Sequence, residues 1–168
     1  VPDRRGRALV QRRSNSIGAG VPTIDNPIFA RALNALQVRL DADGHRLLLA
    51  TTEYDHGREL AAVQALVEHG VDGVVLVGAR HHPGVLPLIG ARGIPVVCTW
   101  TYDPDAAIAT IGFDNREAMQ RLTWHLVDLG HRRIAMIAGV AEGNDRAAAR
   151  RDGFGAARAA RGRGPRAG

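Results

Sequence analysis

Short runs that are apolar at every position, rather than at every second one, constrain this chain more than anything else in it. Val74 to Val77 (VVLV) and Ile94 to Val97 (IPVV) are uninterrupted in this way. Such runs suit strands covered on both faces, as in a parallel sheet flanked by helices. Between them lie longer amphipathic stretches, which makes the pattern an alternation of strand and helix rather than a repeat of solenoid length. Read in order, the chain predicts strand Ile17 to Val21, helix Pro27 to Ala42, strand Arg46 to Ala50, helix Arg58 to His69 and strand Gly73 to Val77. It continues with a short helix Val85 to Ala91, strands Ile94 to Cys98 and Ala109 to Gly112, helix Arg116 to Leu129, strand Ile134 to Ile137 and a helix from Asp145 to about Ala160.

Local signals agree. Asn26 precedes Pro27 as a capping side chain before a proline at the first helical position, and Leu33, Leu36 and Leu40 then recur on one helical face until Gly44 ends it. The class expected is α/β with a doubly wound, mainly parallel sheet. From Gly155 onward only Gly, Ala, Arg and Pro occur, which reads as a frayed tail with no large apolar group to dock it.

Composition narrows the functions. A chain of 168 residues with 45% apolar side chains fills one sizeable core, and no apolar stretch approaches the roughly 18 residues that span a bilayer. The opening residues hold clustered Arg and no apolar h-region, so no secretory signal is expected, and the single Cys98 fits a reducing, cytoplasmic setting. The net charge of +5 is unevenly placed: residues 1–13 carry +4, residues 14–145 carry −5 and residues 146–168 carry +6. Any polyanion contact therefore belongs to an end. Every basic residue is Arg, which reads as coding bias.

Catalytic constellations are missing from the pattern. Gly18-Ala19-Gly20 lacks the third glycine of a dinucleotide turn, and no P-loop occurs. Ser14 and Ser16 are the only serines, and no Gly-x-Ser-x-Gly elbow exists. The adjacent His81 and His82, and the pair His125 and His131, lack zinc spacing, and the adjacent pair reads as solvated loop residues. Asp114, Glu117 and Asp128 read as helix-end carboxylates. The expectation is no enzyme, no metal and no cofactor.

A doubly wound sheet does provide a ligand crevice at the carboxyl ends of its strands. Aromatic residues make up only 4% of the chain, yet Phe29, Tyr54, Trp100 and Tyr102 all fall on or beside the loops expected there. Either they stack on a ring or sugar ligand, or Phe29 packs under its helix and Trp100 closes a loop. At the other end of the reading, PDRRGRAL (Pro2 to Leu9) forms a short basic helix only against a target, Gly6 weakening it by roughly 1 kcal/mol. Arg4, Arg5 and Arg7 would meet phosphates, and Leu9 would wedge between base steps. The alternative is a solvated linker.

These residues together resemble the LacI/GalR family of transcription regulators. The hinge pattern P-N-x-x-A-R-x-L is met by Pro2, Arg7 and Leu9, with Asp3 and Gly6 as departures. I-G-x-x-V-P followed by N-P-x-F is met by Ile17 to Pro22 and Asn26 to Phe29. G-V-D-G, R-G-I-P-V-V, D-N-R-E-A and H-L-x-x-L-G-H-R-R-I-A follow in order from Gly70, Arg92, Asp114 and His125. The resemblance covers Pro2 to about Phe154.

That resemblance implies a two-lobed, periplasmic-binding-protein-like core that clamps a small effector such as a sugar, a preceding helix-turn-helix headpiece that meets operator DNA, and a homodimer. It divides the chain into a hinge segment (1–13), a first effector-binding lobe (14–115) and the start of a second lobe (116–168). Ile28 and Phe29 match positions lining the effector cleft, and Arg150 matches the family's effector-binding arginine. Trp100 stands where the family often has a ligand aspartate, a departure that exchanges a hydroxyl acceptor for a stacking surface. Arg158 replaces a usually apolar residue of the last helix. The other protein of this fold is an exported sugar-binding protein of an ABC uptake system, against which the hinge-like start and the missing signal segment argue.

Overall fold

The structure, a computed structural model, describes residues 14–161. The hinge residues Arg4, Arg5, Arg7 and Leu9 lie outside that range. Five strands, β1 (Ser16–Val21), β2 (Arg46–Thr51), β3 (Gly73–Val77), β4 (Val96–Thr99) and β5 (Ala109–Ile111), form one sheet of order β2-β1-β3-β4-β5. Helices α1 (Pro27–Ala42), α2 (His56–Glu68) and α3 (Val85–Ala91) alternate with β1 to β4, and α4 (Asn115–Asp128) and α5 (Asp145–Arg161) follow β5. β1 runs parallel to β2, Ser16 opposite Arg46 and Val21 opposite Thr51, and parallel to β3, Ile17 opposite Gly73 and Gly20 opposite Leu76. This is the doubly wound α/β arrangement, with the winding reversing between β1 and β3.

The described residues divide into two compact units, residues 14–77 with 81–98, and residues 78–80 with 99–161. In the first unit the uninterrupted apolar runs are the core: Val74 and Leu76 of β3 are buried together with Ala19 of β1, Val63 and Leu66 of α2, and Val85 and Ile89 of α3. Each such side chain contributes about 1.5–3 kcal/mol by leaving water. Gly18 and Gly20 sit inside β1, not in a turn. A Cβ on Gly18 would lie 3.0 Å from Leu66 Cδ1, and one on Gly20 3.0 Å from Leu76 Cδ2, so these glycines let neighbouring apolar groups approach the strand. Local caps fix the helices. Asn26 Oδ1 accepts from the Ile28 N–H at 2.9 Å, and Asp55 Oδ1 from the Arg58 N–H at 2.8 Å. The Asp72 carboxylate accepts from the Ser14 and Asn15 N–H groups and anchors the entry to β1.

In the second unit α4 and α5 pack against each other. Their approach is close at Gly153, where a Cβ would stand 2.2 Å from the Arg116 carbonyl oxygen. Asp114 caps α4, its Oδ1 accepting from the N–H groups of Arg116 and Glu117. Two expectations fail here. Ile134 to Ile137 form no strand: residues 131–141 have no regular structure, and Ile137 is fully exposed. An apolar run becomes a strand by pairing with a neighbour, and among the described residues none runs beside it. The helix expected from Asp145 to about Ala160 forms and runs to Arg161, so residues 155–161 do not fray as their composition suggested. Ala157 is fully buried, and the Arg158 guanidinium lies 5.7 Å from the Phe154 ring centroid, so small residues and a cation–π contact dock what large apolar groups do not.

Candidate functional site

Within the second unit, a polar chain joins two residues singled out in the sequence. Arg150, on α5, donates from Nη1 to Asn115 Oδ1 at 2.5 Å, and Asn115 Nδ2 donates to the carbonyl oxygens of Trp100, at 2.9 Å, and Phe113, at 3.3 Å. Asn115 is buried, so both ends of its amide are committed and its orientation is fixed. Trp100, immediately after β4, has φ +57, a left-handed conformation uncommon for an aromatic residue. Its carbonyl bond to Asn115 helps hold that turn. Next to it, Gly112 has no room for a side chain: a Cβ would lie 2.6 Å from the Thr101 nitrogen.

Arg150 spends one N–H on Asn115, and the rest of its fork suits a carboxylate or paired hydroxyls. Trp100 is half-buried and joins this network through its backbone carbonyl. Nearby in the same unit, Asp145 is saturated. Its Oδ2 accepts from the Ala79 and Arg80 N–H groups at 2.6 and 3.2 Å, and its Oδ1 accepts from Arg146 Nη1 at 2.7 Å. Gly78, at φ +96, permits this approach, since a Cβ there would fall 2.2 Å from Arg146 Nη1. Asp145 thus organises the start of α5, while Arg150 donates to a neutral amide.

In the first unit, Ile28 and Phe29 open α1 but part company: Ile28 is 62% exposed and Phe29 only 6%. Phe29 packs under its helix, so of the two only Ile28 presents a free apolar surface. Tyr54 ends a left-handed pair with Glu53 (φ +61 and +52) after β2, where Arg58 pairs with Glu53.

The same unit holds a cluster that the sequence reading missed. His81, expected in solvent, has a side chain only 2% exposed. Its Nδ1 bonds Glu59 Oε1 at 2.6 Å, and its Nε2 lies 3.4 Å from Cys98 Sγ. Glu59 Oε2 also accepts from the His82 N–H at 2.7 Å and lies 3.6 Å from His56 Nδ1. Burial pulls His81 toward neutrality, but its bonds to Cys98 and Glu59 and the charge of Glu59 raise its pKa to about 9. Burial likewise pushes the Glu59 carboxyl up, and the bonds from His81 and His82 outweigh it and hold it below its ordinary value. Both groups are thus charged at neutral pH. One signal in the sequence points to this: Glu59 shares a helical face with Val63 and Leu66, a carboxylate in an apolar register.

Among the described residues no group of three or more His, Cys, Asp or Glu side chains is placed to hold a metal ion, and no helix is long and apolar enough to cross a membrane.

The strand order β2-β1-β3-β4-β5 with helices between defines a doubly wound α/β domain of the periplasmic-binding-protein type. Residues 14–167 match the model for periplasmic binding proteins and the sugar binding domain of the LacI family, and the chain belongs to that family. It is 31% identical over 137 residues to the HTH-type transcriptional regulator GntR of Escherichia coli K12, covering 82% of this chain and 41% of the relative. A LacI family transcriptional regulator from Silicibacter pomeroyi superimposes with a TM-score of 0.81 at 29% identity, over 88% of this chain and 54% of that one. A periplasmic binding protein/LacI transcriptional regulator from Alkaliphilus metalliredigens, complexed with D-xylulofuranose, gives 0.70 at 27% identity, over 89% and 54%. The chain thus spans about half the length, or less, of the relatives it matches.

Proposed function

We propose that this chain is the effector-sensing part of a LacI-type DNA-binding transcription regulator. It binds a small molecule, a sugar or related metabolite, for which the second unit offers Arg150 as the fork and Trp100 as the stacking face; in the first unit Ile28 is the exposed apolar candidate, and Phe29, matched with it in the family pattern, is buried in its own unit. The single observation that supports this reading is the Arg150–Asn115–Trp100 network, in which one buried amide bonds the Arg150 guanidinium and the Trp100 backbone carbonyl, in a chain that matches the sugar binding domain of the LacI family. The division into a hinge (1–13), a first lobe (14–115) and the start of a second (116–168) belongs to this proposal. So do a cytoplasmic homodimer and operator contact through a headpiece, with Arg4, Arg5, Arg7 and Leu9 as hinge contacts. Effector binding would then shift the balance between DNA-competent and DNA-incompetent states, a coupling set by the effector's differential affinity for them.

The HTH-type relative favours this reading over an exported sugar-binding protein, and the relatives are regulators, not enzymes. The test is calorimetric titration of the chain with D-xylulose and with a sugar carboxylate. Saturable binding of either, lost in Arg150→Met, supports the site. Binding unchanged in Arg150→Met, or no binding of either probe, overturns it.

A further inference from the structure

Glu59, His81 and Cys98 come from three separate elements, α2, the segment after β3, and β4, and meet in one line: carboxylate, imidazole, sulfur. This is the order in which a nucleophile, the group that manages its proton and the residue that orients that group are arranged. Nothing in the proposed effector site uses it. The Arg150 network lies in the other unit, so this inference stands or falls independently of the regulator reading.

We propose that Cys98 is an oxidant-reactive thiol, converted to a sulfenic acid by hydroperoxides, with His81 as the proton-managing partner of its sulfur and Glu59 as the residue that positions His81. Glu59 takes the Nδ1–H, which turns Nε2 toward Sγ, and the imidazolium then stabilises negative charge on sulfur. In the reaction the Cys98 thiolate attacks one peroxide oxygen. An S–O bond forms as the O–O bond breaks, sulfur loses two electrons and the peroxide gains them. The departing hydroxide, or alkoxide from an organic hydroperoxide, takes the proton from His81 Nε2 and leaves as water or alcohol.

Burial sets the reagent. Cys98 is 3% exposed, so a molecule of two oxygens reaches it through small local openings whereas a bulky aromatic disulfide does not. Cys98 is also the chain's only cysteine. No internal thiol condenses with the sulfenic acid, so the oxidised form persists until an external thiol reduces it.

The sole cysteine makes the experiment direct. The native chain is treated with hydrogen peroxide at pH 7, quenched, unfolded in guanidinium and titrated for remaining thiol; oxidation of the two methionines does not register. The comparison is a peptide of residues 95–101, which carries the same cysteine without His81 or Glu59. Native Cys98 is expected to be lost about tenfold faster than the peptide's, or more. His81→Gln and Glu59→Gln, with folding checked by circular dichroism, are expected to fall to the peptide's rate or below. An aromatic disulfide reagent should react with the native chain more slowly than with the peptide. A native thiol that reacts with peroxide no faster than the peptide overturns the proposal, whatever the variants do. So does a fast reaction unchanged in both folded variants.

Discussion

His81 Nδ1 lies 2.6 Å from Glu59 Oε1 in a first unit whose core is mostly aliphatic, and the pair ties α2 to the segment leaving β3. Because the His81 pKa is raised, from 6.5 to about 9, its contribution to stability is complete below pH 6.5 and disappears as pH rises through about 9. Because the Glu59 pKa is lowered from 4.5, its contribution is complete above pH 4.5 and disappears as pH falls through the lowered value. Unfolding free energy should therefore be flat between about pH 4.5 and 6.5 and fall on either side. Glu59→Gln should cost about 3 kcal/mol near pH 6 by leaving a buried imidazole without its counter-charge, and should flatten the alkaline limb. Urea unfolding across pH 4 to 10 decides it; an alkaline limb identical in the variant would contradict the pairing.

Asn115 donates to the Trp100 carbonyl and accepts from Arg150, and the two roles can be separated. Asn115→Ala leaves a part-buried carbonyl and a guanidinium each short of a partner and should cost about 1–3 kcal/mol. Asn115→Asp keeps an acceptor for Arg150 but loses the donor to Trp100. Trp100 fluorescence, read in a Trp124→Phe background, should shift in both variants, whereas Arg150→Met should leave it closer to the parent. Equal spectra in all three would show that the amide does not hold the Trp100 turn.

Much of this architecture is readable from the sequence because its causes are local. α1 starts and stops where Asn26, Pro27 and Gly44 say it does, and β3 is buried because VVLV has no polar position to turn outward. What was not readable depends on partners distant in the chain. His81 looks like a loop histidine until Glu59, 22 residues earlier, and Cys98, 17 residues later, are brought to it by the sheet. Asn115 looks like part of a helix start until Arg150, 35 residues on, reaches its amide. Ile134 to Ile137 fails for the converse reason. Its apolar pattern is right for a strand, but a strand is a property of a pair, and the described residues supply no second member.

Two glycines on one helix should respond to the same substitution with opposite signs. Alanine is the better helix former by about 1 kcal/mol, and at Gly155 nothing lies within 4 Å of the added methyl. Gly155→Ala should therefore stabilise the chain by up to about 1 kcal/mol. At Gly153 the same methyl would stand 2.2 Å from the Arg116 carbonyl oxygen, so α4 and α5 must separate. Gly153→Ala should destabilise by about 1–3 kcal/mol, the clash exceeding the gain in propensity. Thermal melts of the two variants against the parent test the close approach of these helices; two shifts of the same sign would contradict it.

Ile137 and Val140 are 102% and 77% exposed, in a segment without regular structure, and Leu122 of α4 and Leu129 at its C-cap are more than half exposed in the same unit. Apolar surface of this kind binds an amphiphilic dye when it forms a contiguous patch and not when its members are scattered. The unit should therefore enhance the fluorescence of anilinonaphthalene sulfonate at pH 7 in the native state, before any unfolding. Replacing Ile137 and Val140 together by Ser removes two large groups that bury nothing, so stability should change by less than about 0.5 kcal/mol while dye fluorescence falls. A drop in dye binding accompanied by a lower melting temperature would mean that these side chains do pack. Unchanged dye binding would place the patch elsewhere, on α4 and its C-cap, where Leu122→Ser and Leu129→Ser are the variants that should reduce it.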